Sequence, residues 1–136
     1  MRSYAAEYRV TFADTDLMGV VYYAHYLNWF EIGRAEYFRN LVGIPYTEIV
    51  SLGINTPVTE AYCKYIKPAW YDDVLLIDTR VAEIRRASIR FEYSVIQKKG
   101  GIELAKGYTV HAFISKERKI VRIPEYILEA LKKLVE

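Results

Sequence analysis

Residues 10–40, VTFADTDLMGVVYYAHYLNWFEIGRAEYFRN, change their period midway, and that change decides the fold. Upstream, residues 4–12 alternate, with Tyr4, Ala6, Tyr8, Val10 and Phe12 on one face and Glu7, Arg9 and Thr11 on the other. This is the pattern of a half-buried strand, ending near Ala13. From Tyr23 onward, Tyr23, Tyr26, Leu27, Phe30, Tyr37, Phe38 and Leu41 recur at steps of three and four, which predicts a helix of about five turns. Gly43 and Pro45 close it, and YTEIV predicts a second short helical turn before Gly53. Gly33 falls inside the long helix, where glycine costs up to about 1 kcal/mol relative to alanine, so close approach to another backbone is expected there.

Beyond Pro57 the period returns to two. Strands are expected over 58–67, 73–84, 87–98 and 102–115, with a short one at 120–123. KPAWYDD, RRA, KKGG and SKERK are the turns between antiparallel neighbours. Pro124 opens a closing helix that carries Ile127, Leu128, Leu131 and Leu134 on one side. The expected class is therefore α+β: an antiparallel sheet laid over one long helix, with a short C-terminal helix. One helix covers only one stripe of such a sheet, and the helix has more aromatic surface than one sheet face can cover, so dimerisation is expected.

At 136 residues, 52% apolar and 26% charged, the chain fits a single domain over 1–136 with a core of its own. Cys63 is the lone cysteine, which rules out an intrachain disulfide and a thiolate metal cluster and fits a reducing cytoplasm. No apolar run approaches the roughly 20 residues needed to cross a bilayer, and the N-terminus lacks a signal-peptide core. The net charge of +2 hides a division: residues 85–122 hold 10 basic and 3 acidic groups, a surplus suited to an anionic ligand. Nucleic acid is not expected, because no finger, helix-turn-helix or RNP-like motif accompanies that charge.

The chemistry concentrates where the period changes. Asp14 and Asp16 would share a face if the strand ran through both. They could hold a divalent cation, although such sites usually need further oxygen ligands. They could be solvated turn residues, or they could supply a carboxylate to a cleft at the helix start. The third reading gains from Gly19, which lets the chain turn so that the unpaired amides of the first helical turn face the cleft. Such donors stabilise an oxyanion forming on a carbonyl, and a carboxylate beside them can activate water or attack directly. An amide leaves poorly without a proton, whereas a thiolate, from a thiol of pKa near 8.5, leaves readily, so a thioester suits this equipment. No G-x-S-x-G is present, and the histidines are His25 and His111 alone. His25 and Glu31 are six apart, about 240° round a helix, so they cannot pair within one chain.

Three segments, DTDLMGVVYYAHYLNWFEIGRAEYFR, INTPVTEAYCKYIKPAWYDDVLLIDT and RRASIRFEYSV, resemble the 4-hydroxybenzoyl-CoA thioesterase-like acyl-CoA thioesterases of the hotdog fold. The likeness covers essentially the whole chain and is sharpest at D-x-x-G-V-V-Y-Y. It implies a five- or six-stranded antiparallel sheet wrapped round the helix, and a homodimer or homotetramer whose sites lie between protomers. It implies Asp16 as the catalytic carboxylate and the Tyr23 N–H as the oxyanion donor. Gly19, Val21, Tyr22 and His25 would border the substrate, and Arg85, Arg86 and Ser88 would meet the coenzyme A phosphates. Coenzyme A is then part of the substrate rather than a cofactor, and an acyl carrier protein offers the same pantetheine arm. Two other activities fit the fold: a binding module without turnover, and a dehydratase using His25.

Overall fold

The computed structural model describes residues 2–135. Five antiparallel strands, β1 (Ser3–Arg9), β2 (Val58–Tyr65), β3 (Val74–Ile84), β4 (Ser88–Gln97) and β5 (Ile102–Ala112), form one sheet in the order β1-β3-β4-β5-β2. The long helix α1 (His25–Tyr37) lies across its inner face; α2 (Tyr46–Ser51) is the expected short turn, and α3 (Glu125–Val135) closes the chain.

Alternation along the strands builds the core. Leu75, Ile77, Thr79 and Val81 of β3, and Ile89, Phe91, Tyr93 and Val95 of β4, all face inward and are buried. Against them α1 sets Tyr26, Trp29, Phe30, Gly33 and Tyr37. Full burial of side chains of this size contributes about 1.5–3 kcal/mol each. Phe30 stacks on Tyr93 with 4.2 Å between centroids and 4° between planes. That seat exists because Gly107 stands opposite Tyr93: a Cβ on Gly107 would lie 2.9 Å from the Phe30 ring. Gly33 solves the same problem from the helix side, but its close neighbours are side chains rather than the expected backbone. A Cβ there would meet Thr79 Oγ1 at 2.3 Å and Ile77 Cγ2 at 2.8 Å.

Three boundaries depart from the period. β1 ends at Arg9 rather than near Ala13, and Phe12–Asp14 form a 3-10 turn, so Asp14 and Asp16 do not share a strand face. The aromatic helix keeps its five-turn length by continuing α1 into a wider π-type turn, Phe38–Val42. Residues 120–123 form no strand; Ile120 makes one isolated bridge to Ile114, which also bridges Asn55. β5 accordingly stops at Ala112, as the chain beyond it serves two partners at once.

Candidate active site

Between β1 and α1 the chain makes a tight hairpin. Thr15 bridges Val21, the Asp16 N–H bonds the Val20 carbonyl at 2.9 Å, and the Gly19 N–H bonds the Asp16 carbonyl at 3.0 Å. Gly19 has φ of +83°, the left-handed conformation that favours a residue without Cβ. The hairpin is clamped from outside, since Val20 bridges Trp70 and the Val21 N–H bonds the Ala69 carbonyl at 2.9 Å. It therefore stands at a fixed height above the tip of α1.

The two aspartates take opposite roles. Asp14 is buried, and its carboxylate accepts the Tyr8 hydroxyl at 2.7 Å and the Thr11 N–H at 2.8 Å. Burial works against its charge, but the Thr11 and Tyr8 bonds outweigh it and hold Asp14 below the usual carboxylate range. It is thus neither a solvated turn residue nor half of a cation site with Asp16; it fastens the 3-10 turn to β1. Asp16 is only half-buried, and one carboxylate oxygen accepts the Met18 N–H at 2.8 Å.

Asp16 opens onto a cavity of about 300 Å³ that is lined also by Met18, Val21, Tyr23, Tyr65 and Ile66. The start of α1 faces the same space. The Tyr22 N–H is taken by the Asp14 carbonyl at 2.8 Å and the His25 N–H by the Tyr22 carbonyl at 3.0 Å. Between them, the N–H groups of Tyr23 and Ala24 have no acceptor among the described residues. These are the orphan donors of a helix start.

The other expected site residues are placed as follows. Val21 walls the cavity, while its N–H is spent on Ala69. Gly19 borders a wider hollow on the far side of Asp16, with Phe12, Leu17 and Tyr71. Tyr22 lies edge-on to His25, and the nearest polar partner of the His25 ring is Asn28, 3.4 Å from Nδ1. His25 is not among the residues lining the cavity within one protomer. Arg85 and Ser88 line a separate concavity of about 190 Å³ with Glu60, Glu83 and Arg90, and Arg85 pairs with Glu83. Arg86 is exposed nearby, its carbonyl accepting the Ile123 N–H at 3.0 Å. Within one protomer this basic group is remote from Asp16: the hairpin sits at the Val74 end of β3 and Arg85 follows its Ile84 end, about 33 Å away for a strand of 11 residues. Sequence reasoning missed Tyr65, Ile66, Lys67 and Pro68, which close the cavity from the end of β2. Their run of aromatic and proline residues was visible, but the Val20–Trp70 bridge that brings them there joins positions 50 apart.

One five-stranded antiparallel sheet laid over one long helix, with a C-terminal helix, defines the class of hotdog-fold thioesterases. A family model described as "Thioesterase-like superfamily" matches residues 10–131, and the chain belongs to that family. A protein of Aquifex aeolicus (strain VF5) named as an esterase is 39% identical over 124 residues, covering 91% of this chain and 94% of its own. The 4-hydroxybenzoyl-CoA thioesterase of Pseudomonas sp. (strain CBS-3) is 33% identical over 96 residues, 69% of this chain and 68% of that one. Among solved structures, the DHNA-CoA thioesterase from Staphylococcus aureus superposes with a TM-score of 0.92 at 29% identity, covering 98% of this chain and 91% of that chain.

Proposed function

We propose that the protein is an acyl-CoA thioesterase in which Asp16 drives attack on the thioester carbonyl and the Tyr23 N–H receives the developing oxyanion. The observation that carries this reading is that Asp16 and Tyr23, whose N–H has no acceptor among the described residues, line one cavity. Carboxylate-assisted attack forms the tetrahedral intermediate, the C–S bond breaks, and CoA leaves as a thiolate that takes up a proton. The products are a carboxylic acid and free CoA. Met18 donates to one Asp16 oxygen, which leaves the other to take a proton from water or to attack the carbonyl itself. Single turnover in ¹⁸O-labelled water separates these routes, because label enters Asp16 only when an anhydride opens at its own carboxyl.

Replacing Asp16 by Asn should lower kcat by about 10²–10⁴-fold, the usual contribution of a positioned acid or base, while acyl-CoA binding survives. Thiol release from a panel of short, long and aromatic acyl-CoAs measures this. A variant with full turnover would remove Asp16 from the mechanism, and a wild-type protein that binds acyl-CoA but releases no thiol would make it a binding module. Competition by free CoA distinguishes CoA esters from an acyl carrier protein as the donor.

The working unit in this reading is a homodimer, able to pair further into a tetramer. β2 has a strand neighbour on one side only, β5, and Val58, Tyr62 and Tyr65 are exposed along it. Antiparallel pairing of two β2 edges about a two-fold axis sets Val58 of one protomer against Tyr65 of the other. Ser88 lies two strands in from Val58, about 10 Å, so the partner subunit's Arg85 and Ser88 approach the site, to which one protomer supplies Lys67 alone as a cation among its lining residues. The phosphates of CoA would rest there, with the pantetheine arm running along the seam. No helix among the described residues is long and apolar enough to cross a membrane, and the free thiol of Cys63 suits the reducing cytoplasm where acyl-CoA is found.

A further inference from the structure

Tyr65 is the last residue of β2, and its side chain lies against the tip of α1. Its ring meets Tyr26 edge-on at 4.9 Å between centroids and Tyr23 edge-on at 6.3 Å. Its hydroxyl donates to the Tyr23 carbonyl at 2.8 Å. The helix itself uses that carbonyl poorly: the Tyr26 N–H is 3.4 Å from it, whereas the neighbouring bonds, His25 to Tyr22 and Leu27 to Ala24, are 3.0 and 3.2 Å. A carbonyl has two lone pairs, and Tyr65 fills the capacity the helix leaves.

We propose that Tyr65 is a positioning residue for the hydrolysis, its hydroxyl locking the Tyr23–Ala24 peptide so that Ala24 presents its N–H to the oxyanion beside that of Tyr23. The inference rests on the reading of this cavity as a thioesterase site. Because a peptide unit is planar, fixing the Tyr23 oxygen fixes the Ala24 N–H at its other end; the Tyr23 N–H belongs to the preceding peptide, whose Tyr22 carbonyl is held by the His25 N–H at 3.0 Å. A hydrogen bond received by the carbonyl polarises the same amide and makes its N–H a stronger donor. Burial raises the Tyr65 phenol above the usual tyrosine range, so it stays protonated and able to donate through neutral pH. The two free donors are consecutive residues at one turn, both without acceptors among the described residues, and Tyr65 is the side chain that braces the peptide between them.

Donors held in place before reaction act on the transition state more than on the bound substrate, so the effect belongs to kcat. Tyr65→Phe keeps the ring contacts and deletes the hydroxyl. Loss of a whole oxyanion donor costs about 10²–10³-fold in kcat, and loosening a pair should cost less, about 5–30-fold, with KM changed less than twofold. The Ala24 amide resonance of ¹⁵N-labelled protein should move in the same variant, since it senses the bond to the carbonyl of its own peptide. A hydrolase whose Tyr65→Phe form keeps full kcat, raises KM alone, or leaves the Ala24 resonance in place overturns this inference and spares the thioesterase reading. A wild-type protein that releases no thiol overturns both.

Discussion

Asp14 and Asp16 are two residues apart and chemically alike, yet one holds the fold and the other faces the cavity. The sequence could identify the pair but could not separate them, because the separation depends on where β1 stops and on a tyrosine six positions upstream. Replacing Asp14 by Asn should cost stability, about 1–3 kcal/mol for charge-assisted bonds lost in a buried place, and should lower kcat much less than Asp16→Asn does. Urea unfolding and thiol release on the two variants test that division. His111 of β5 is buried, bonded to Thr109 at 2.9 Å and to the Thr56 carbonyl at 3.0 Å. Burial, aided by the nearby Arg34 charge, lowers its pKa from 6.5 to about 4. The folded state therefore binds the proton less well than the unfolded chain, so this contribution to stability is complete above pH 6.5 and is lost as pH falls toward 4. Between pH 7.5 and 4.5 the loss should be about 2–3 kcal/mol. His111→Gln, which cannot titrate, should lack that part of the slope in urea titrations; parallel profiles for the two proteins would contradict it.

At the scale of elements, the long helix and the four strands after Pro57 were legible because each is long enough for its period to repeat. Ends and joints are not legible in the period: the 3-10 turn and the π-type turn are closed by bonds only three to six residues long, and 120–123 stays out of the sheet where Ile114 bridges both Asn55 and Ile120. Gly33 shows the middle case. Its presence signalled close packing, while the identity of the neighbour, Thr79, needed the register of α1 on β3. Thr79 Oγ1 is buried with no hydrogen-bond partner among the described residues, and it is the nearer of the two atoms a new methyl would strike, the other being Ile77 Cγ2. Gly33→Ala should therefore destabilise by about 1–3 kcal/mol, the cost of overpacking a tight core. Adding Thr79→Ala should return part of that loss, because it deletes the nearer struck atom and an unsatisfied hydroxyl while Ile77 Cγ2 stays in the way. Thermal unfolding of both single variants and the double variant measures the coupling.

At the scale of the molecule, Arg85 and Arg86 and the carboxylate of residue 16 were all visible in one dimension, but the arginines sit at the other end of β3 from the Asp16 hairpin. A shared site requires a second copy, and that makes an exchange experiment possible. Asp16→Asn and Arg85→Glu proteins should each be weak at low acyl-CoA concentration. Mixed and allowed to exchange subunits, they should regain up to about a quarter of wild-type turnover, since half of the dimers become mixed and each mixed dimer holds one intact site of two. No recovery, with exchange verified by mass, would place Arg85 outside the partner's site.

The main-chain origin of the Tyr23 donor reaches beyond this reaction. No side-chain replacement at that position deletes an amide hydrogen except proline, and the Tyr23 side chain is itself 61% exposed. In the proposed reaction, Met18, Ile66 and Pro68, which line the same cavity, can thus be exchanged without removing that N–H. Descendants of this scaffold can wander widely in diet and still keep the same reaction.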